Sequence, residues 1–220
     1  MKSSSLVLAL SLLILPACQK SELADKPAAE VTESTATVAT ADTASTQAAA
    51  NTTSANVIKE KSAIHFVGAK VTRDHKGKFN SFDGTITYAG NAPQGVKFDI
   101  DLSSIETDTE QLTGHLKSPD FFDVAKYPKA TFTSTSLTPA PAGAANGATH
   151  ELKGILDLHG MQKEVTIPVT ATTTPAGVRT TSEFTINRHD WGISYKGMAD
   201  DLIKDNVLIK LDLLFPPPPA

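Results

Sequence analysis

The stretch SPDFFDVAKYPKATFTST, residues 118–135, does not fit a regular helix or a straight strand. Two adjacent phenylalanines, Phe121 and Phe122, stand among charged residues, with Pro119 before them and Pro128 after them. Prolines at this spacing disfavour a helix, and a straight strand would turn one of the two rings into water. We therefore predict that the chain bends here and that both rings are buried at the bend.

Alternating apolar and polar residues on either side of this bend predict β-strands. In KFDIDLSSI, residues 97–105, the side chains of Phe98, Ile100 and Leu102 fall on one face, and acidic and hydroxyl side chains fall on the other. The same period of two recurs in ATFTSTSL, HELKGILDLHG, EVTIPVTAT, RTTSEFTIN and NVLIKLDLLF. Turn-forming residues separate these runs, and a short helical turn is predicted near residues 110–117.

These patterns predict an all-β domain, either an antiparallel barrel or a sandwich, with about eight strands. Up-and-down closure into a barrel is favoured because it leaves no unpaired sheet edge. A barrel of this size can be filled by its own side chains or can hold one slim ligand, and the period of two does not distinguish these outcomes.

The N-terminus has the pattern of an export signal. Residues 1–17 contain Lys2 and an apolar run over residues 6–15, which is shorter than the roughly 20 residues that span a bilayer. Cys18 is the only cysteine, so it cannot form an internal disulfide. The sequence LPAC resembles a bacterial lipobox, which implies lipidation of Cys18, and Gln19 after it implies sorting to the outer membrane. An ordinary signal peptide cleaved nearby is the alternative.

The domain organisation follows from the distribution of aromatic residues. Residues 18–56 are rich in Ala, Thr and Ser and contain no aromatic residue, so we predict a lipidated Cys18 followed by a disordered linker. Residues 57–215 form the β-domain, and the proline-rich residues 216–220 form a disordered tail. The net charge of −4 and the lack of a long basic run argue against a nucleic-acid partner.

Three stretches resemble the YceI-like family: residues 103–137, which include HLKSPDFFD and YPKATF, residues 152–169, LKGILDLHGMQKEVTIPV, and residues 184–193, FTINRHDWGI. The resemblance covers about residues 63–214. It implies an exported, lipocalin-like antiparallel barrel that binds polyisoprenoid lipids. The expected placement is the bacterial cell envelope, with the domain anchored by N-terminal acyl chains, at the outer membrane and facing the periplasm.

The resemblance implies that inward side chains line an isoprenoid pocket and that basic side chains at its rim meet the lipid head group. Trp191 stands where a phenylalanine is usual in the family and is bulkier. The bound isoprenoid is the expected ligand, and no other cofactor is expected. The pocket residues are Phe66, Phe79, Phe82, Phe98, Ile100, Leu102, Leu116, Phe121, Phe122, Phe132, Phe184 and Trp191; the rim residues are Lys70, Arg73, His75 and Lys76.

Other functions have weaker support in the sequence. The six histidines lack metal-ligand spacing, so no metal site is predicted. Ser118, His189 and Asp190 supply the residue types of a hydrolase, but adjacent strand residues point to opposite faces, so an enzyme is not predicted. A tethered interaction module with a solid core is the alternative, and the sequence leaves open whether the chain forms a homodimer.

Overall fold

The computed structural model describes residues 21–34, 52–198 and 201–218. In these ranges the chain forms one α-helix, α1 (Glu110–Lys117), and fourteen strands. The strands are β1 (Glu30–Glu33), β2 (Thr52–Asn56), β3 (Ala63–Ala69), β4 (Asp74–Phe79), β5 (Phe82–Ala89), β6 (Ala92–Asp101), β7 (Ile105–Thr107), β8 (Lys129–Pro139), β9 (His150–Leu158), β10 (Met161–Thr174), β11 (Gly177–Asn187), β12 (Gly197–Met198), β13 (Asp201–Leu202) and β14 (Asn206–Phe215).

The long strands pair antiparallel with their neighbours in sequence and form one curved wall. The order across this wall is β2-β5-β6-β8-β9-β10-β11-β14-β3-β4-β7, and β12 pairs only with β13. The late strand β14 pairs with the early strand β3, which joins the last part of the chain to the first part within the wall. Asn80 and Ser81 separate β4 from β5, so these two behave as one strand bent at a corner, and the wall has eight long members. The predicted antiparallel, up-and-down, lipocalin-like barrel is confirmed.

Strand β10 connects the two halves of the wall. Its first part, Met161–Val169, pairs with β9, and its last part, Thr170–Thr174, pairs with β11. Val165, Ile167 and Val169 are buried, as the alternation in EVTIPVTAT predicts. One strand thus carries an inward face from one half of the barrel into the other.

The bend predicted around the two phenylalanines lies between α1 and β8. Thr109 caps α1 by accepting a hydrogen bond from the Leu112 N–H. After the helix the chain reverses through Asp123, whose φ is +44° and whose carbonyl accepts a hydrogen bond of 2.8 Å from the Tyr127 N–H. The structure confirms the bend and the burial of Phe121, whereas Phe122 is only half-buried against the core.

The prediction of a disordered linker up to Asn56 is wrong for the residues that the structure describes there. Strand β1 pairs with the first part of β10, along the edge that β11 leaves open, and β2 pairs with β5. A sheet edge binds a further strand through backbone N–H and C=O groups. A segment without aromatic residues can therefore still be ordered, and composition alone missed this.

Polar contacts hold the start of this N-terminal segment, residues 21–34, against the barrel. The Ser21 hydroxyl lies 2.9 Å from both carboxylate oxygens of Asp74. Glu22 forms ion pairs with Lys76 and, at 2.7 Å, with Lys210. These two lysines lower the pKa of Glu22 to about 2, with Lys210 contributing most.

The C-terminal end of the domain lies where the prolines predict it. Strand β14 stops at Phe215, before the proline run. The Tyr88 hydroxyl donates a hydrogen bond of 3.1 Å to the Pro216 carbonyl, so the predicted disordered tail is wrong at its first residue. The predicted signal peptide and Cys18 lie outside the described residues. Over the ranges that the structure covers, α1 included, no helix has the length and hydropathy needed to cross a membrane.

The Glu22 contacts predict a pH dependence of stability. Because the folded-state pKa lies below the usual 4.5, the contribution of Glu22 is fully present above pH 4.5 and is lost as the pH falls towards 2. We expect the Glu22→Gln variant to be less stable than the natural chain at neutral pH by at most about 1 kcal/mol, since the pair is partly exposed. Urea unfolding at several pH values should show this difference shrinking between pH 4.5 and 2. A difference that stays constant across this window would contradict the assignment.

Candidate functional site: an apolar cavity inside the barrel

A cavity of about 250 Å³ lies inside the barrel. Its wall consists almost entirely of apolar side chains contributed by the strands, by α1 and by the bend after it. The polar residues among its lining are Lys70, His75, Thr180 and Arg188. Such a space offers burial of apolar surface to a ligand and few hydrogen-bond partners along most of its length.

The cavity is elongated along the strands. Strand β14 contributes every second residue from Val207 to Phe215 to the lining. These positions span eight residue steps, or about 26 Å at 3.3 Å per residue. The shape therefore suits a long, slim apolar chain.

Glycines in neighbouring strands explain why so many aromatic residues leave the interior open. A Cβ placed on Gly77 or Gly84 would lie 2.2 Å from a phenylalanine ring carbon, and one on Gly154 would lie 2.5 Å from another. Each ring thus lies against the wall, in the space that a side chain of the adjacent strand would otherwise fill. The three pairs are Phe66 with Gly77, Phe98 with Gly84, and Phe132 with Gly154.

The structure brings ten of the twelve predicted pocket residues to the cavity. Phe82 and Trp191 do not line it, although both are buried. Trp191 ends a 3-10 turn, Arg188–Trp191, and its indole N–H donates to the Leu156 carbonyl at 3.4 Å. Its bulk therefore does not shorten the cavity. The ten residues in the lining are Phe66, Phe79, Phe98, Ile100, Leu102, Leu116, Phe121, Phe122, Phe132 and Phe184.

Sequence reasoning missed lining residues on the strands, Leu112 on α1, and residues of an irregular segment. Those on strands were already visible in the alternation that predicts the strands, and counting every inward apolar position would have found them. Ile193 and Ile203 lie in the irregular segment before β14, where no periodicity identifies them. The strand residues that were missed include Ile64, Val96, Leu152, Leu156, Leu158, Val165, Ile167, Val169, Val207, Ile209, Leu211 and Leu213.

The predicted basic rim is only partly at the cavity. Lys70 and His75 line it, and His75 Nδ1 lies 2.9 Å from a carboxylate oxygen of Asp108. Arg73 lies in the β3–β4 turn and is exposed, and Lys76 binds Glu22 on the outer surface. Successive side chains of β4 point to opposite faces of the sheet. His75 faces the interior, so its neighbour Lys76 faces away from it.

Arg188 is a buried cation at the cavity that was not predicted as a site residue. Its Nη1 donates to the Ile193 carbonyl at 2.7 Å, and its Nε donates to the Lys204 carbonyl at 3.2 Å. Asp205 lies 3.7 Å away. Burial lowers the pKa of the guanidinium, with the carboxylate of Asp205 opposing this effect. The side chain thus fixes the segment between β11 and β14, which forms one end of the cavity.

The residues considered for a hydrolase are not brought together. The Ser118 hydroxyl donates to the His115 carbonyl at 2.7 Å. His189 Nε2 lies 2.8 Å from Asp205 Oδ1, so the carboxylate that it contacts is that of Asp205 and not that of Asp190. Within the described ranges, no three His, Cys, Asp or Glu side chains form a cluster that could hold a metal ion.

Substitution of the wall glycines tests the role of the ring positions. In Gly84→Ala, the three heavy atoms nearest to the new methyl group all belong to the Phe98 ring, which must move towards the cavity. We expect a loss of about 1–3 kcal/mol in the free energy of unfolding, and weaker binding of the apolar dye anilinonaphthalene sulfonate. Gly68→Ala is the matched control, because Gly68 lines the same cavity and has open space where its Cβ would lie. Equal losses of stability and dye binding in both variants would contradict this explanation.

Comparisons with known proteins agree with the architecture. Among curated proteins, a UPF0312 protein of Pseudomonas aeruginosa is 40% identical over 93 residues, which are 41% of this chain and 46% of that protein. The chain thus spans about half the length of the curated relatives it matches.

Two solved structures share the fold. Burkholderia cenocepacia BcnA superposes with a TM-score of 0.63 at 24% identity, covering 71% of this chain and 98% of that one. A polyisoprenoid-binding domain from Saccharophagus degradans superposes with a TM-score of 0.60 at 20% identity, covering 74% of this chain and 98% of that one. The sequence profile of the YceI-like domain matches residues 55–215, which include every strand of the wall from β3 to β14, and the chain therefore belongs to the YceI-like family.

Proposed function

We propose that this protein is a carrier that holds a long isoprenoid lipid, of the polyprenyl or quinone type, in the barrel cavity. The observation that carries the proposal is the elongated apolar interior, with a lining that is polar at only four residues. The Saccharophagus degradans domain with the same fold is a polyisoprenoid-binding domain, which supports this class of ligand.

The energetics favour a chain-like ligand. Each methylene-sized group that leaves water contributes about 0.8 kcal/mol, so several isoprene units offset the cost of association. A small polar molecule would gain little from such a wall, because it would lose its hydrogen bonds to water and find few replacements.

The polar residues suggest where the head group lies. Lys70 and His75 belong to the β3–β4 turn region, and Arg188 precedes the loop that binds to the same turn. An isoprenoid with its tail along β14 would place its head beside these three side chains. Hydrogen bonds from them to a phosphate or quinone oxygen, charge-assisted for Lys70 and Arg188, would orient the ligand.

The proposal includes an anchor in the cell envelope. The sequence LPAC at residues 15–18 resembles a lipobox, and acylation of Cys18 would hold the domain at the periplasmic face of the outer membrane. More than one acyl chain is needed for stable anchoring, and lipidation at a lipobox supplies several. An anchored carrier would stay beside a bilayer, the apolar phase into which isoprenoid lipids partition.

Organic extraction tests the ligand. Protein purified from a bacterial host that makes isoprenoids is extracted and analysed by mass spectrometry, and we expect an isoprenoid in roughly equimolar amount. The Gly84→Ala variant, prepared in parallel, should carry less because its cavity is narrowed. Recovery of no isoprenoid would favour an interaction module over a carrier.

The anchor is tested by Cys18→Ser. We expect this variant to lose incorporation of labelled palmitate, whereas Ser21→Ala retains it. Acyl labelling decides the question, since an uncleaved apolar run can itself keep the chain in the membrane fraction. Labelling that persists in Cys18→Ser would refute lipidation at this residue.

A further inference from the structure

Two loops join at the end of the cavity that carries its basic residues. The Val71 N–H donates to the Leu202 carbonyl at 3.1 Å, and the Lys204 N–H donates to the Ala69 carbonyl at 2.8 Å. We call residues 70–73 and 202–204 the mouth tip. These hydrogen bonds make one continuous edge from the β3–β4 turn and the segment before β14.

The mouth tip has an inward and an outward face. Lys70 and Ile203 line the cavity. Val71, which follows Lys70, is 69% exposed, and Leu202, which precedes Ile203, is 48% exposed. Among the side chains whose burial the structure describes, which leaves out Met198, the other exposed large apolar one is Met161, at 39%. Two of these three side chains therefore belong to hydrogen-bonded neighbours on the outer surface at this end of the cavity.

The charges near the mouth tip are mixed. The Asp74 carboxylate is held by Ser21, Asp205 lies against His189, and Asp201 is adjacent to Leu202 in sequence. Apolar contact, not net charge, must therefore supply most of any attraction to a surface. Long basic side chains can reach past such a contact to polar groups above it. Three exposed basic residues lie in the hydrogen-bonded segments: Arg73, Lys196 and Lys204.

The N-terminal segment begins at the same place. Ser21 and the backbone N–H of Glu22 both bind the Asp74 carboxylate at 2.9 Å, and Asp74 faces Ala69 across the β3–β4 turn. Cys18 precedes Ser21 by three residues, and three residues of fully extended chain span only about 11 Å. An acyl anchor on Cys18 would enter a bilayer next to the mouth tip.

We propose that the mouth tip docks on the surface of the lipid bilayer, with Val71 and Leu202 inserted among the head groups and the cavity opening onto the membrane. This inference rests on the proposed carrier function and names the surface through which it operates. A ligand would then pass between bilayer and cavity without crossing water. The fixed N-terminal segment, in place of a free linker, sets this orientation.

Site-directed spin labelling tests the docking. The full chain with Thr72→Cys is purified in its processed form, in which acylation blocks Cys18, and is reconstituted on vesicles of phosphatidylethanolamine and phosphatidylglycerol. We expect the label at position 72 to lose its accessibility to an aqueous nickel chelate and to gain accessibility to oxygen. A label at Ala142→Cys, in the exposed β8–β9 loop, should remain accessible to the chelate.

Matched variants identify the side chains responsible. Val71→Ser combined with Leu202→Ser should restore chelate accessibility at position 72, whereas Met161→Ser should not. Docking is overturned if the label at position 72 stays in water on vesicles, or if the Met161 substitution has the same effect as the double substitution. A water-exposed label together with isoprenoid recovered by extraction would refute the docking alone; an inserted label without any isoprenoid would refute the carrier alone.

Discussion

The packing of phenylalanine rings against glycines of the adjacent strand is the constraint on which the hollow interior depends. Phe66, Phe98 and Phe132 occupy space that a Cβ on the facing strand would need. Large aromatic side chains usually fill a core, because protein interiors pack densely. Here the rings thicken the wall instead, and they leave the axis of the barrel open.

The two ends of the cavity are built by different physical means. Along the strands, the wall needs only alternation of apolar residues. Beyond β11 the chain leaves the sheet, and a buried guanidinium from Arg188 organises it through carbonyls such as those of Ile193 and Lys204. Burying this charge is tolerable because it is hydrogen-bonded. The buried guanidinium thus fixes the part of the cavity wall that lies outside the strands.

Much of this structure could be predicted from the sequence, because its physical causes are local. The period of two locates the strands, and the phenylalanine pair between two prolines locates the bend at residues 118–128. Ring positions such as those of Phe82 and Trp191 could not be predicted, since both residues are buried but lie off the cavity. The strands β1 and β2 were also missed, because they bind through backbone groups that composition does not register.

The pairing of β3 with β14 sets an order of events in the making of the protein. The hydrogen bonds between β3 and β14 can form only after β14 has been made, and those between β1 and β10 only after β10 has been made. Contacts between such distant parts of a chain slow folding. A chain synthesised from its N-terminus would keep β1, and the edge of β3 that binds β14, unpaired until β10 and β14 had followed. Escort by a chaperone during that interval would protect those edges from other chains.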